Sequence, residues 1–169
     1  MAFPRVLKDI MVRNSGLAYV GEAKSLTLPK LARKFESMRM AGMDRGAKAD
    51  MGGEDLEIEH TYAAPMRDIL RQFGMTDLAG VGLSFVGTYV NDETGGMDVV
   101  EVTVRGRHEE IDFGEQKPGE AGDFKVKSAL VYYKLDWNGA TEIEIDVLNM
   151  VEIVGGVDRL LERKAALGI

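Results

Sequence analysis

Few side chains of this sequence are able to make or break bonds, and their spacing does not assemble them. There are two histidines, His60 and His108, and no cysteine among 169 residues. That excludes a disulfide framework, a thiolate zinc site and a cysteine nucleophile. Neither histidine lies in an HExxH pattern, and a three-ligand zinc centre needs carboxylates that the spacing does not specify. His60 continues the mainly apolar face of a strand-like run, where a hydrogen-bonded core or interface histidine is expected. His108, in Arg105-Gly106-Arg107-His108-Glu109-Glu110, reads as a polar strand end.

Other chemical patterns fail in the same way. Ser84 lies in Gly82-Leu83-Ser84-Phe85-Val86, not GxSxG, and no GxxxxGK[ST] loop is present. Gly80-Val81-Gly82 opens a GxGxxG run, but Phe85 stands where the third glycine belongs. Asp92, Thr94, Gly96 and Asp98 read as a hairpin turn rather than a calcium loop. Glu57, Glu59, Glu142, Glu144 and Asp146 alternate along strands, the pattern of a solvated sheet face. Met38, Met40, Met43 and Met51 flank a glycine-rich stretch, where flexible thioether side chains suit an adaptable contact surface. No cofactor, metal or enzymatic activity is expected.

The elements that carry these residues are mostly strands. Apolar and polar residues alternate in Leu56–Tyr62, Val81–Val90, Val99–Arg105, Phe124–Leu135 and Glu142–Val151. From Ser25 to Met38 the alternation slips by one residue at Pro29, which predicts a bulge or bend on an edge strand. Asn138-Gly139 predicts a tight hairpin, and Asn91–Gly96 and Lys117–Gly122 predict longer turns. Ala41–Gly53, with four glycines, predicts an exposed flexible loop. Two short helices are expected. Pro65–Gly74 has an apolar stripe of Met66, Ile69, Leu70 and Phe73, and Val157–Leu167 has charges ordered as the helix dipole prefers. The result is one mainly β domain over 1–169, a sandwich or barrel of seven to nine strands with two short helices and an extended strand pair and loop at about 25–63.

Composition agrees. Hydrophobic residues make up 45% and charged residues 29%, an ordinary globular mix. No run approaches the roughly 20 apolar residues of a membrane span, and Pro4, Arg5, Lys8, Asp9 and Arg13 break any leader-like stretch. The net charge of −7 disfavours tight nucleic-acid binding. Residues 1–50 carry ten Lys/Arg against five Asp/Glu, and the remainder eleven against twenty-three. That asymmetry predicts a basic edge, with Lys24, Lys30, Arg33, Lys34 and Arg39, facing acidic residues of a neighbouring subunit.

Several segments then occur in a telling order. They are Leu26-Thr27-Leu28-Pro29-Lys30-Leu31, Arg39-Met40-Ala41-Gly42-Met43-Asp44, Asp50-Met51-Gly52 and Leu70-Arg71-Gln72-Phe73-Gly74. Lys117-Pro118-Gly119-Glu120, Val131-Tyr132-Tyr133-Lys134-Leu135, Val147-Leu148-Asn149-Met150 and Gly156-Val157-Asp158 follow. Their collinear order over essentially the whole chain resembles the major tail tube proteins of P2-like contractile-tailed phages and the tube proteins of R-type pyocins. The resemblance implies homohexameric rings that stack into a hollow tube, with strands of six subunits joined in one inner β-barrel. It implies a tail sheath outside, baseplate and tape measure proteins as further partners, and DNA only as passing cargo (ions in a pyocin). Assembly in the bacterial host cytoplasm and a place in the virion tail, or a phage-tail-like particle, are implied with it.

Under that resemblance, alternation nominates lumen-facing residues: Lys30, Lys34 and Glu36 on one strand, and Glu57, Glu59 and Thr61 on the other. The glycine- and methionine-rich segment nominates inter-ring contacts at Met40, Gly42, Met43, Asp44, Arg45, Gly46, Met51 and Gly52. Two rival readings make different demands. A type VI secretion-like ring protein predicts the same ring with a secretion partner. A small-ligand-binding β-barrel predicts a monomer with an enclosed apolar pocket.

Overall fold

The computed structural model describes residues 2–14, 16–19 and 22–169. Its centre is three long antiparallel strands: β7 (Val81–Val90), β8 (Met97–Asp112) and β9 (Phe124–Trp137). Strand β1 (Val6–Asn14) pairs with β7 and carries the short β2 (Leu17–Tyr19) on its other edge. On the far side the sheet forks. The first half of β9 pairs with β6 (Leu56–Tyr62), which pairs with β3 (Ala23–Thr27). The second half pairs with β10 (Ala140–Asp146), which leads to β11 (Val151–Val154) and β12 (Val157–Asp158).

The fork has a local cause. Arg105 faces Tyr132 while Gly106 faces Leu130, so Val131 is an extra residue on β9. Such a bulge bends its strand and increases the twist. The Val131 carbonyl then accepts a hydrogen bond from Val147 N at 2.9 Å, between the two partner strands. Gly106 is required opposite the bulge. A Cβ placed there would lie 2.0 Å from the Ala129 carbonyl oxygen.

Alternation turns one face inward. Val100, Val102 and Val104 of β8 pack with Leu83 and Phe85 of β7, Ile58 and Tyr62 of β6, and Phe124 and Val126 of β9. The sheet curls so that Leu26 and Leu28 approach Ile10 of β1. Among the described residues no ladder joins β1 to β3, so the barrel is not closed by pairing. The interior cleft between them holds about 70 Å³, below the 300 Å³ or so of a small-molecule site.

Several elements differ from the sequence reading. The run Ser25–Met38 is not one bent edge strand. It breaks at residues 28–32 into β3 and β4 (Arg33–Met38), which belong to different sheets. Pro29 lacks an N–H for a ladder and is buried at that break. The second half of the expected loop Ala41–Gly53 is strand β5 (Ala47–Gly53), paired with β4, so Met51 and Gly52 are strand residues. The bulge lies here, between the Arg33–Gly53 and Phe35–Asp50 pairs, with Gly52 at φ 115°. Glu142–Val151 is a hairpin, turned where Asp146 accepts bonds from the backbone and side-chain nitrogens of Asn149.

Helix α1 spans only Arg67–Arg71, and its stripe is half used: Met66 and Ile69 are buried while Leu70 and Phe73 are exposed. Helix α2 spans Leu161–Leu167, starting later than expected because Val157 and Asp158 pair with β11. No helix among the described residues is long and apolar enough to cross a membrane.

Candidate functional site

Three features have the geometry of contact surfaces or of devices that position them: a protruding hairpin, a charged strip, and the polar chain behind them. The hairpin β4–β5 forms its own two-stranded sheet, separate from the main one. Among the described residues neither strand has a second partner, so both outer edges keep free backbone groups, a template for pairing with another chain. Its tip, residues 39–46, is ordered by Met43 N donating to the Met40 carbonyl (3.1 Å) and by Arg39 Nε donating to the Met43 carbonyl (3.0 Å). Gly42 adopts φ 90° there. Met40 is 68% exposed, and Gly42, Met43, Asp44, Arg45 and Gly46 are exposed beside it.

Arg33 clasps the base of this hairpin. Its Nε donates to Asp50 Oδ2 across the pair, and its Nη1 reaches both Glu152 oxygens of β11 at 2.8 and 3.0 Å. These bonds raise the Arg33 pKa, the one to Asp50 first. Asp50 is held low, first by the Gly52 N–H and then by Arg33. Such charge-assisted contacts are stronger than neutral ones and directional, so the clasp sets the angle at which the hairpin leaves the body.

The charged strip runs over the outer face of β6, β9 and β8. Register aligns Glu59, Lys127 and Glu110 in one row and Thr61, Lys125 and Asp112 in the next. Lys127 Nζ also lies 3.4 Å from Glu57 Oε2, and its pKa is raised by the Glu57 contact before the neighbouring carboxylates Glu109 and Glu110. Of the residues nominated for a lumen, Lys30, Glu57 and Glu59 line one cleft together with Lys127. Lys34 and Glu36 lie apart on the hairpin, on one face of β4 with Nζ and Oε1 4.0 Å apart. Thr61 departs from the expected wet face: it is only 7% exposed. Its short side chain lies mid-sheet between Ser25 and Lys125, and only the longer Glu57 and Glu59 reach solvent there. Lys125, Lys127, Glu110 and Asp112 were not singled out in the sequence. Their signal was present as alternation of opposite sign in Lys125-Val126-Lys127 and Glu110-Ile111-Asp112.

Four of the five residues expected on the basic edge have a partner within the chain, and the fifth, Lys30, lines the cleft with Glu57 and Glu59. Lys24 pairs with Asp123, Arg33 with Asp50 and Glu152, and Lys34 with Glu36, while Arg39 donates to a backbone carbonyl. Charge counted along a sequence cannot reveal this, because the partners are up to 119 positions apart.

Behind the strip runs a buried polar chain. His60 is 1% and His108 6% exposed, so His108 is an interior residue and not a polar strand end. Tyr62 Oη lies 2.8 Å from His60 Nδ1, and His60 Nε2 lies 3.2 Å from Ser128 Oγ. Ser128 Oγ is 2.9 Å from His108 Nδ1, and His108 Nε2 is 3.0 Å from Gln72 Oε1. Gln72 and Asn14 exchange two further bonds, of 2.7 and 2.8 Å. One proton arrangement satisfies the run with neutral rings. Tyr62 donates to His60, His60 Nε2–H to Ser128, Ser128 to His108 Nδ1, and His108 Nε2–H to Gln72. Burial supports neutrality: it lowers the His60 pKa to about 3, with His108 adding a smaller effect, and the His108 pKa to about 4. The chain ties β6, β9 and β8 to β1 and to the residue after α1. It is a structural lock, and it offers no nucleophile at a surface.

The family model for the phage tail tube protein FII matches residues 4–168. The tail tube protein of Escherichia phage P2 is 42% identical over 172 residues, covering all of both chains. The major tail tube protein of Serratia phage KSP20 is 31% identical over 153 residues, covering 89% of this chain and 88% of its own. Two cryo-EM structures from an extracellular contractile injection system share the fold at 7% identity. The sheath/tube terminator, in the extended state, has a TM-score of 0.56 and covers 75% of this chain and 92% of its own. The sheath-tube complex, also extended, has the same TM-score and covers 75% and 87%.

Proposed function

The chain belongs to the phage tail tube protein FII family, and from that premise we propose that it builds the inner tube of a contractile tail or tail-like particle as stacked homohexameric rings. The observation that carries this is the hairpin β4–β5, held off the body with both edges unpaired among the described residues. Pairing such edges around a ring satisfies their backbone groups and removes the aggregation hazard of an open strand. A ring also uses a heterologous contact, which closes when its rotation allows. The sheath binds outside, the baseplate and tape measure proteins bound the tube, and DNA passes through without being held. Purified protein at high concentration, viewed by negative-stain electron microscopy, is expected to show rings or tubes. Monomers alone under all conditions would remove the reading.

The tip of the hairpin, with Met51 and Gly52 on its second strand, contacts the next ring. Removing residues 42–46 leaves a three-residue connection, 39–41, between β4 and β5, a length that hairpins accept. This deletion is expected to give a folded subunit with wild-type circular dichroism and no long tubes. Normal tubes would assign stacking elsewhere.

Glu57, Glu59, Lys30, Lys34 and Glu36 face the lumen in this reading, with Thr61 as a covered member of the wall. Sixfold repetition makes each a ring of like groups, and a wall of mixed sign gives no dense basic array to trap phosphates. The double substitution Glu57→Lys with Glu59→Lys is expected to leave folding intact, since exposed pairs such as Glu57–Lys127 contribute only about 0.2–1 kcal/mol. Tubes should still form while DNA ejection slows, measured as potassium efflux or dye-labelled DNA release. Failed sheath docking with normal passage would place this strip on the outside.

A further inference from the structure

The fork in the sheet leaves an apolar groove that the subunit does not fill. It holds about 390 Å³ between the base of the hairpin and the β10–β11 branch, with Leu31 and Leu56 on one side and Ile143, Ile145, Val147 and Val154 on the other. Its mouth stays open: Leu31 is 49% and Val147 58% exposed, and Leu148 and Leu161 beside it are exposed too. The charged residues lining it are Glu54, Asp146, Glu152 and Arg33, and Arg33 is already bound by Asp50 and Glu152. The groove is therefore apolar inside and acidic at the edge.

We infer that this groove is the socket for the β4–β5 tip of a second copy of this chain, seated from the adjoining ring. The inference rests on the tube reading and deepens it by naming what the tip enters. The tip carries the matching chemistry. Met40 and Met43 are exposed thioethers able to shape themselves to an irregular apolar slot. Arg39 and Arg45 beside them, against one Asp44, bring net positive charge to the acidic edge. The tip cannot enter its own groove. The Arg33 clasp fixes the hairpin base at the groove, and Met40 lies seven residues farther on, in the tip beyond the end of β4, roughly 20 Å away at about 3.3 Å per extended residue. Knob and socket thus occupy opposite ends of one element. Such a contact is heterologous and propagates from copy to copy without closing, as a stack requires.

The absence of native cysteine gives a clean test. Two single variants, Met40→Cys and Val147→Cys, are mixed before assembly, then oxidised in the assembled tubes and run on non-reducing gels. A disulfide-linked dimer is expected from the mixture and from neither variant alone, because bridging needs Cα atoms within about 7 Å. As a second measure, Val147→Arg sets a cation at the groove mouth against Arg39 and Arg45. It should leave folded subunits or single rings and at least tenfold fewer tubes. Tubes without the tip–groove disulfide overturn the socket while leaving the tube reading intact, as do normal tubes from Val147→Arg. A disulfide from Val147→Cys to Ile169→Cys in place of Met40→Cys would give the groove to a neighbour's C-terminal end and equally overturn it. Unsubstituted protein that forms no tubes removes the tube reading and this inference together.

Discussion

Substituting Gly106 by alanine is expected to cost the subunit about 3 kcal/mol or more, at the upper end for overpacking of a close-packed interior. The added Cβ meets backbone, not a side chain that can swing away: the Ala129 carbonyl oxygen at 2.0 Å and Leu130 Cα at 2.9 Å. Relief requires β8 and β9 to separate at the bulge, where the sheet divides and the core passes from one branch to the other. Against a total stability of roughly 5–15 kcal/mol, that is a large fraction. Gly82, on the neighbouring strand β7, has nothing within 4 Å of its added Cβ. Gly82→Ala should therefore lie within about 0.5 kcal/mol of wild type. Urea unfolding followed by tryptophan fluorescence at fixed subunit concentration measures both. Equal midpoints for Gly106→Ala and wild type would show that the strands relax there at no cost, and the account of the fork would be wrong.

Mild acid should have the second large effect. Both histidines are neutral in the fold, with pKa values lowered to about 3 and about 4, and titrate near 6.5 when unfolded. Below about pH 6.5 the unfolded chain therefore binds more protons than the native one, and stability falls as pH falls. The contribution is complete above that pH and is lost progressively down to the folded pKa of each ring. At about 1.4 kcal/mol per pH unit for each histidine, moving from pH 6.5 to 5 removes about 2 kcal/mol per ring. Protonation also places a second N–H where Tyr62 or Ser128 must donate, so the chain loses its one satisfied arrangement. The urea midpoint should drop steeply between pH 7 and 5. The double substitution His60→Gln with His108→Gln should be less stable at pH 7 and nearly flat over that range. A wild-type midpoint that does not move between pH 7 and 5 would contradict neutral, buried rings. The exposed carboxylates Asp50 and Asp123, whose pKa values are lowered, act below this window and do not confuse it.

The sequence alone determined the β class, most of the long strands, the tight turn at Asn138-Gly139 and the absence of any assembled catalytic motif. These are local properties: period-two alternation over Leu56–Tyr62 or Val81–Val90 records which face is dry, and an Asn-Gly pair carries its own turn geometry. The family was equally legible, because collinear short segments need no knowledge of contacts. The strand Val6–Asn14 was not, since a bulge at Lys8 shifts its phase and buried Asn14 breaks the apolar pattern. His108 looked like a strand end because a polar residue reads as wet. Only Ser128 and Gln72, brought from 20 and 36 positions away, make it an interior residue.

The same reason decides what tertiary structure alone supplied. Residues 33, 50 and 152 become one clasp because β4, β5 and β11 converge, and Lys24 meets Asp123 through a contact that distance along the chain conceals. Pro29 marked a disturbance in the sequence, yet whether it bends a strand or ends one depends on what each half pairs with. Here β3 goes to β6 and β4 to β5. The groove exists only because one inserted residue, Val131, sends the two halves of β9 to different partners. Hydrogen-bond partners between strands are chosen by the whole sheet, and no window of sequence contains that choice.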